Sequence, residues 1–548
     1  MKVRLFAAAS VLAVASATLT VPIAEAAPTA GAARVVADQE GPHSPRGRKI
    51  PAPRVSTMPG VQIFDVDFGD VDLGRRAGQF RSPMRGVLVV PEKGRGAPLV
   101  VVNHLRMPGC TGEVMAYPCP RGTRELRLDR GMTYLGIDLA RQGYAVLIPD
   151  LSPLWIGAET SAPYDQIAGW QTIVGGLRDR VAAANRGGTA FGTSLRGRVD
   201  TSRSALIVHS RSAYIVGTAV QAWKSTSPVT SVLAYGPAAD AEDPAPPDVP
   251  YLVTLGSADA DVYSTPSHWA SAHLGEKRTS PLLVAQVPGL GHSAVNRTLS
   301  RAGLDDRRSC EGDCPTARQH EVFLQNTASA WLAATYPSGR TVASGDDIPT
   351  SATAPLPPRL GGLAVQWLAA TNAPATLVYD SAAGARGVQA FGGGTIAACR
   401  YLDPMDPAQD RGRCAEPEEG VVEARGPVLR VGLRPAGGAR FAVAPTPGVR
   451  QVDVTINPSG SRADRRPGTP LQVTLVDDAG GRHPVDASRT VLRDRRTAEE
   501  SGVYTPVTLR LPVEVDAAVV AVELTGRDGD GLVEVRRIDL LTRETLAP

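Results

Sequence analysis

The chain has 548 residues, 43% of them hydrophobic, and a formal net charge of +3 from 58 Lys and Arg against 55 Asp and Glu. That length exceeds what one hydrophobic core usually serves, so two or three domains are expected. The near balance of charge supplies no strong field to recruit nucleic acid or an anionic membrane, and nucleic acid is excluded as the expected partner.

In chain order, the first segment carries Lys2 and Arg4, an apolar run from Leu5 through Val14 and beyond, and then Ala24, Glu25 and Ala26. A basic start, an apolar stretch and a small-residue cleavage site predict a secretory signal peptide over residues 1–26, and hence a secreted, extracellular protein. No other stretch approaches the roughly 20 apolar residues of a spanning helix, so no transmembrane segment is expected. Residues 27–60 are rich in Pro, Gly, Arg and Ala without a periodic apolar pattern and read as a flexible lead.

From residue 61 to residue 340, short apolar runs alternate with helical patterns. "MRGVLVVP" and "PLVVVNH" are strands, and the second is apolar throughout, as a strand covered on both faces must be. "YLGIDLARQGYAVLIPD" is a helix ending at Gly143 followed by a buried strand, and residues 165–185 place Ile167, Trp170, Ile173, Val174, Leu177 and Val181 on one helical face. "SALIVHS" is the next strand and "AYIVGTAVQAW" the next helix, "VPYLVTLGSAD" and "SPLLVAQVPG" add strands, and "ARQHEVFLQNTASAWLAATY" closes as a helix. This alternation predicts an α/β fold, a mostly parallel sheet with helices on both faces. Residues 341–360, dominated by Gly, Asp, Pro, Ser and Thr, are the expected linker. Beyond residue 361, alternating strands such as "QVDVTI", "LQVTLVD" and "PVTLRLPV" are separated by turn residues and predict an all-β, jelly-roll-like sandwich to residue 548.

Six cysteines fall into three near pairs, Cys110 with Cys119, Cys310 with Cys314 and Cys399 with Cys414. In an exported chain such spacing suggests disulfides, although proximity alone does not fix the connectivity. No Cys-x-x-Cys with partner His at zinc spacing is present, so no metal is expected. "RDGDG" around Asp528 and Asp530 lacks the remaining oxygen ligands of a calcium loop and reads as a solvated turn.

A serine is a nucleophile at neutral pH only when a base takes its proton, a third group orients that base, and donors wait for the oxyanion. In an α/β sheet these converge at carboxyl ends of strands in chain order Ser, acid, His. Ser210 lies between an apolar strand and a helix in "IVHSRSA", Asp259 follows "YLVTL", and His292 follows "LLVAQVPG". Asp261 is the alternative acid, and Asp259 is preferred because it stands nearer the strand end. The backbone N–H of Arg211 and one from Leu105 or Arg106 are the candidate oxyanion donors. His104 and His209 are assigned to the framework. The segment 151–164 is expected to border the site and to shape an acyl pocket through Trp155.

At these residues the sequence resembles a family of bacterial exported α/β hydrolases related to the chlorophyllase, platelet-activating-factor acetylhydrolase and polyester-hydrolase group. "NHLRMPGC" followed by "YPCP" is similar to that family's His-Gly-Arg loop with its Trp-Pro-Cys-Pro, "HSRSA" to its Gly-His-Ser-Arg-Gly-Gly elbow, "SADADV" to its Asp-Gly-Asp-Val, and "GLGHSAVN" to its Gly-x-x-His-x-x-x-Asn. The likeness covers residues 61 to 336, with a looser one in the β half. It implies the α/β-hydrolase fold, Ser210 as nucleophile, Asp259 as acid, His292 as base, a Cys110–Cys119 bond, and hydrolysis of short-chain or acyl esters without a cofactor, and it leaves open whether the substrate is a small-molecule or a polymeric ester. Leu105, Val208 and Ser212 stand where the family has Gly, and Val208 is expected to crowd the elbow. A rival expectation is a catalytically silent hydrolase fold kept as a binding or cell-surface module. The β half is expected to contact carbohydrate or polymer, or to shield the first domain.

Overall fold

The computed structural model describes residues 41–546 apart from 75–77, 157–163, 240–242, 263–264, 310–313, 340–346, 402–413, 415–425, 459–470, 486–505 and 528. The expected signal peptide, Cys310 and Asp528 therefore lie outside the described residues. The described residues form one compact unit.

Ten strands form one mixed sheet: β1 (Arg54–Met58), β2 (Val61–Asp72), β3 (Arg81–Pro91), β4 (Ala97–Asn103), β5 (Ala145–Pro149), β6 (Val199–His209), β7 (Val229–Tyr235), β8 (Tyr251–Gly256), β9 (Leu282–Val287) and β10 (Gln366–Ala369). Their spatial order is β1-β2-β3-β5-β4-β6-β7-β8-β9-β10. The run from β5 through β9 is parallel, and the pairs at both edges are antiparallel. β4 is buried along its whole length because it serves two cores. Leu99 and Val101 point into one, with Trp170, Ile173 and Leu177, while Val100 and Val102 point into the other, with Leu139, Leu324 and Trp331. Alternation along one strand thus feeds a helical layer on each face of the sheet.

The stretch read as one helix over 165–185 is a helix at Gln166–Trp170, a π turn at Gln171–Gly175 and a helix at Gly176–Asn185. Asp165 caps it by accepting from the Ile167 and Ala168 N–H groups. Trp170, Ile173, Val174, Leu177 and Val181 are buried, whereas Ile167, in the first turn, is exposed. The closing helix, Ala317–Thr335, starts at a capping box in which Thr316 accepts from the Gln319 N–H and Gln319 accepts from the Thr316 N–H. No helix among the described residues is long and apolar enough to cross a membrane.

Beyond β10 the described chain folds into two antiparallel sheets, of six and five strands. Alternate residues from both, among them Leu429, Val454, Ile538, Phe441, Val473 and Leu524, fill one shared core.

Two boundaries differ from those expected. β1 lies inside the segment read as a flexible lead, and all five of its residues are exposed, so no apolar period marks it; it is held by backbone pairing to β2. Just ahead of it, Arg48 forms ion pairs with Asp67 and Asp70. β10 lies beyond the expected linker but belongs to the first sheet, where it covers the open edge of β9 before the chain enters the β half. The two halves meet through polar contacts at that edge. The Ala369 N–H donates to Thr508 Oγ1 (3.0 Å), Gln286 Nε2 to the Pro506 carbonyl (2.8 Å), and Gln451 Nε2 to the Ala352 carbonyl (2.9 Å).

Candidate active site

β6 ends at His209 in ordinary extended backbone, and the next residue, Ser210, has φ +55°. Only one other non-glycine residue among those described, Glu113, has positive φ. A left-handed serine at the turn from a strand into a 3-10 segment, Ser210–Ile215, is the sharp bend a nucleophile elbow requires. The strain falls on the serine itself. Val208 is still in the strand, paired with Asn103 and Ala234 and packed in the core, so it does not crowd the turn.

Ser212 does something a glycine there could not. Its hydroxyl donates to the His104 carbonyl at 2.6 Å, tying the elbow to the loop after β4. That loop is pinned again by His104. The Leu151 N–H donates to His104 Nε2 (2.8 Å), so the ring proton resides on Nδ1 and donates to the Leu105 carbonyl (2.8 Å). The Leu105 side chain is fully buried in its own small cluster with Leu126, Leu128 and Leu299. Asn103, at the end of β4, accepts from Trp170 Nε1 at 2.9 Å. Beneath the loop, burial alone would raise the Asp150 carboxyl, but Arg85 at 2.8 Å and Arg127 at 3.4 Å hold it well below the usual range.

Asp259 and His292 come together from the loops after β8 and β9. His292 Nδ1 donates to Asp259 Oδ2 at 2.8 Å, and both side chains are buried. The other oxygen, Oδ1, accepts from the Asp261 and Val262 N–H groups, each at 3.0 Å, so the carboxylate has little freedom to turn. The His292 N–H donates to the Asp306 carboxylate, which also accepts from the Ser293 N–H at 2.8 Å. Gly291, just before the histidine, donates its N–H to His320 Nε2 (2.8 Å) and accepts from the Tyr235 hydroxyl (2.6 Å).

Asp261 joins the serine to the histidine. Its Oδ2 stands 3.1 Å from His292 Nε2, off the line of a ring hydrogen bond, and its carboxylate is also beside the Ser210 hydroxyl. The His292 contact is the chief reason its carboxyl is held below the usual range. For His292, burial would lower the pKa, but the Asp259 charge and hydrogen bond, with Asp261 on the other nitrogen, raise it to about 10. His209 packs 5.0 Å from the His292 ring and donates from Nε2 to the His292 carbonyl (3.0 Å), and burial pushes its own pKa well below the ordinary value.

Several contributors escaped the sequence reading. Gly236, following β7, has φ +45°, and a Cβ there would lie 2.8 Å from Asp259 Oδ2 and 2.9 Å from His292 Nδ1. Its one signal is the glycine-proline pair, Gly236 and Pro237, at a strand end. Asp306 and His320 sit in segments with no motif. At the rim, Arg211 is bonded to Gln166 Oε1 (2.6 Å) and lies over the rings of Trp155 and Tyr214, while Arg106 Nε donates to the Trp155 carbonyl (2.9 Å). Cys110–Cys119 and Cys399–Cys414 are bonded, and the first closes the loop that follows Leu105 and Arg106.

No protein-family model and no curated protein matches the sequence. Among solved structures, part of the chain is similar to an S-formylglutathione hydrolase from Agrobacterium tumefaciens, with 16% identity, 46% of this chain and 97% of that chain covered, and a TM-score of 0.30. It is also similar to a dienelactone hydrolase-like promiscuous phosphotriesterase from metagenomic libraries, with 18% identity, 44% and 88% coverage, and a TM-score of 0.28. Overlaps this partial do not bear on the chemistry, which rests on the geometry of the site itself.

Proposed function

We propose that this chain is an exported serine hydrolase of the α/β-hydrolase fold, related to the chlorophyllase and polyester-hydrolase group, that cleaves carboxylic esters through an acyl-enzyme. Ser210 Oγ attacks the ester carbonyl as its proton passes to His292 Nε2, Asp259 holds Nδ1–H and stabilises the imidazolium, and the N–H groups of Arg211 and Leu105 donate to the oxyanion. His292 returns the proton to the leaving alkoxide. Water, deprotonated by the same base, then releases the acid and restores Ser210.

The observation that carries this reading is the pairing of a left-handed Ser210 at a strand end with a buried Asp259–His292 hydrogen bond two and three strands further along the sheet. The scheme needs no cofactor. Its substrates are small-molecule or polymeric esters, with the jelly-roll-like β half available for polymer or carbohydrate contact. Turnover of a chromogenic acyl ester by wild type and Ser210→Ala tests it. A loss of at least ~1000-fold is expected, and equal rates would sink the assignment of Ser210.

A further inference from the structure

A base can accept the serine proton only through a free lone pair on Nε2, yet a second carboxylate occupies the approach to that atom. Asp259 and Asp261 grip opposite nitrogens of one ring, at 2.8 Å from Nδ1 and 3.1 Å from Nε2. They differ in freedom. The Asp259 side chain is 1% exposed and fixed by two backbone N–H groups, whereas the Asp261 side chain is 61% exposed. The first is built to stay and the second has solvent to move into.

We infer that Asp261 is a positioning residue that caps the Nε2 face of His292 in the resting site and must move outward before Ser210 can engage the base. This rests on the reading of Ser210 and His292 given above and adds a regulation to it. With Asp261 in place, its charge favours the protonated ring and its carboxylate stands in front of Nε2 at 3.1 Å, off the hydrogen-bond line. Opening the site requires the Nε2 proton to leave to solvent and Asp261 to yield its place to the acyl group, after which the Nε2 lone pair faces Ser210 Oγ–H. The Asp261 charge adds to that of Asp259 in favouring the protonated ring against burial. The arrangement also separates the two acids, since only Asp259 is on the nitrogen that an orienting group must hold.

The groups facing His292 from the surrounding elements are few enough to assign. Asp259 and Asp261 come from the loop after β8, and His209 from the end of β6, where burial keeps it neutral. The Asp306 carboxylate binds the backbone N–H of His292, and Arg106, from the loop after β4, faces Asp261. Of these, Asp261 is the one both close to the ring and free to move.

The test is Asp261→Asn in the full-length protein, with the His292 imidazole titrated by nitrogen-15 NMR and kcat/KM followed across pH for a chromogenic ester. The expected result is a His292 midpoint lowered by at least ~1 pH unit, the acid limb of the rate profile moving down with it, and turnover at pH 7 rising about tenfold or more. An unchanged midpoint in folded variant would overturn the cap, as would a lowered midpoint with an unmoved acid limb in an enzyme whose turnover depends on Ser210. The NMR titration reads the contact whether or not the protein turns over ester. Failure of the hydrolase reading shows separately, as equal rates in wild type and Ser210→Ala.

Discussion

Two residues at the site, Ser210 and Gly236, sit in left-handed backbone immediately after neighbouring parallel strands, and they carry opposite demands. Ser210 needs its side chain and bears the strain, because the bend is what thrusts the hydroxyl out of the sheet. Gly236 needs to have none, because a methyl there would press on both partners of the Asp259–His292 bond at once. Gly236→Ala is therefore expected to lower turnover by on the order of 100-fold by spreading the pair, while costing about 1 kcal/mol or more from the unfavourable φ. Comparing kcat with chemical-denaturation stability checks this. A variant with lowered stability but wild-type kcat would show that the glycine serves only the backbone. The placement of Ser210, Asp259 and His292 at strand ends was legible in the sequence because each follows a conspicuous apolar strand. Gly236 was not, because the clash that demands it involves side chains 23 and 56 positions away.

At the scale of elements, the site is an agreement among strand ends that no single local pattern expresses. The elbow after β6, the loop after β4 and the histidine loop after β9 are joined by Ser212 to His104, His104 to Leu105 and Leu151, and His209 to His292. Ser212→Ala removes the first of these links and takes the Ser212 donor from the His104 carbonyl. A stability loss of about 1 kcal/mol is expected, together with a fall in kcat of roughly 10- to 100-fold at little change in KM, since the candidate oxyanion loop loses its tether. Steady-state kinetics beside a melting curve separates the two effects, and an unaltered kcat would detach the loop from the chemistry. The parallel strands β4, β5, β6, β8 and β9 could be read from apolar runs because they are covered on both faces, whereas β7 was missed, its run being broken by Thr230 and Ser231. β1 could not, because an exposed edge strand leaves no period to read, and β10 was masked by the Pro-rich stretch before it. The π turn at Gln171–Gly175 was invisible for a different reason, since it leaves the apolar spacing of Trp170, Ile173, Val174 and Leu177 looking like that of an unbroken helix.

Across the whole molecule, the β half is joined to the α/β half through buried polar groups, and one of these makes the joint lose stability as pH rises. Asp453, buried beside Gln451, Arg510 and Asp539, has its carboxyl raised to about 6 by burial, against which Arg510 works only in part. A group whose folded pKa is raised binds its proton more tightly in the folded state, so its contribution favours folding at low pH and is lost as pH rises from about 4 to 6. The stability difference between wild type and Asp453→Asn is expected to fall across that window, as measured by melting temperature in steps of pH. A difference that is flat or rises would remove Asp453 from the joint's pH response. Whether this whole assembly serves one nucleophile is tested by treating folded protein with a fluorophosphonate and mapping the adduct by mass spectrometry. One adduct per chain on Ser210, forming faster as pH rises toward the His292 midpoint and absent in Ser210→Ala, is the expected result. Folded wild type that stays unlabelled up to about pH 10, or labelling that persists in Ser210→Ala, would contradict it.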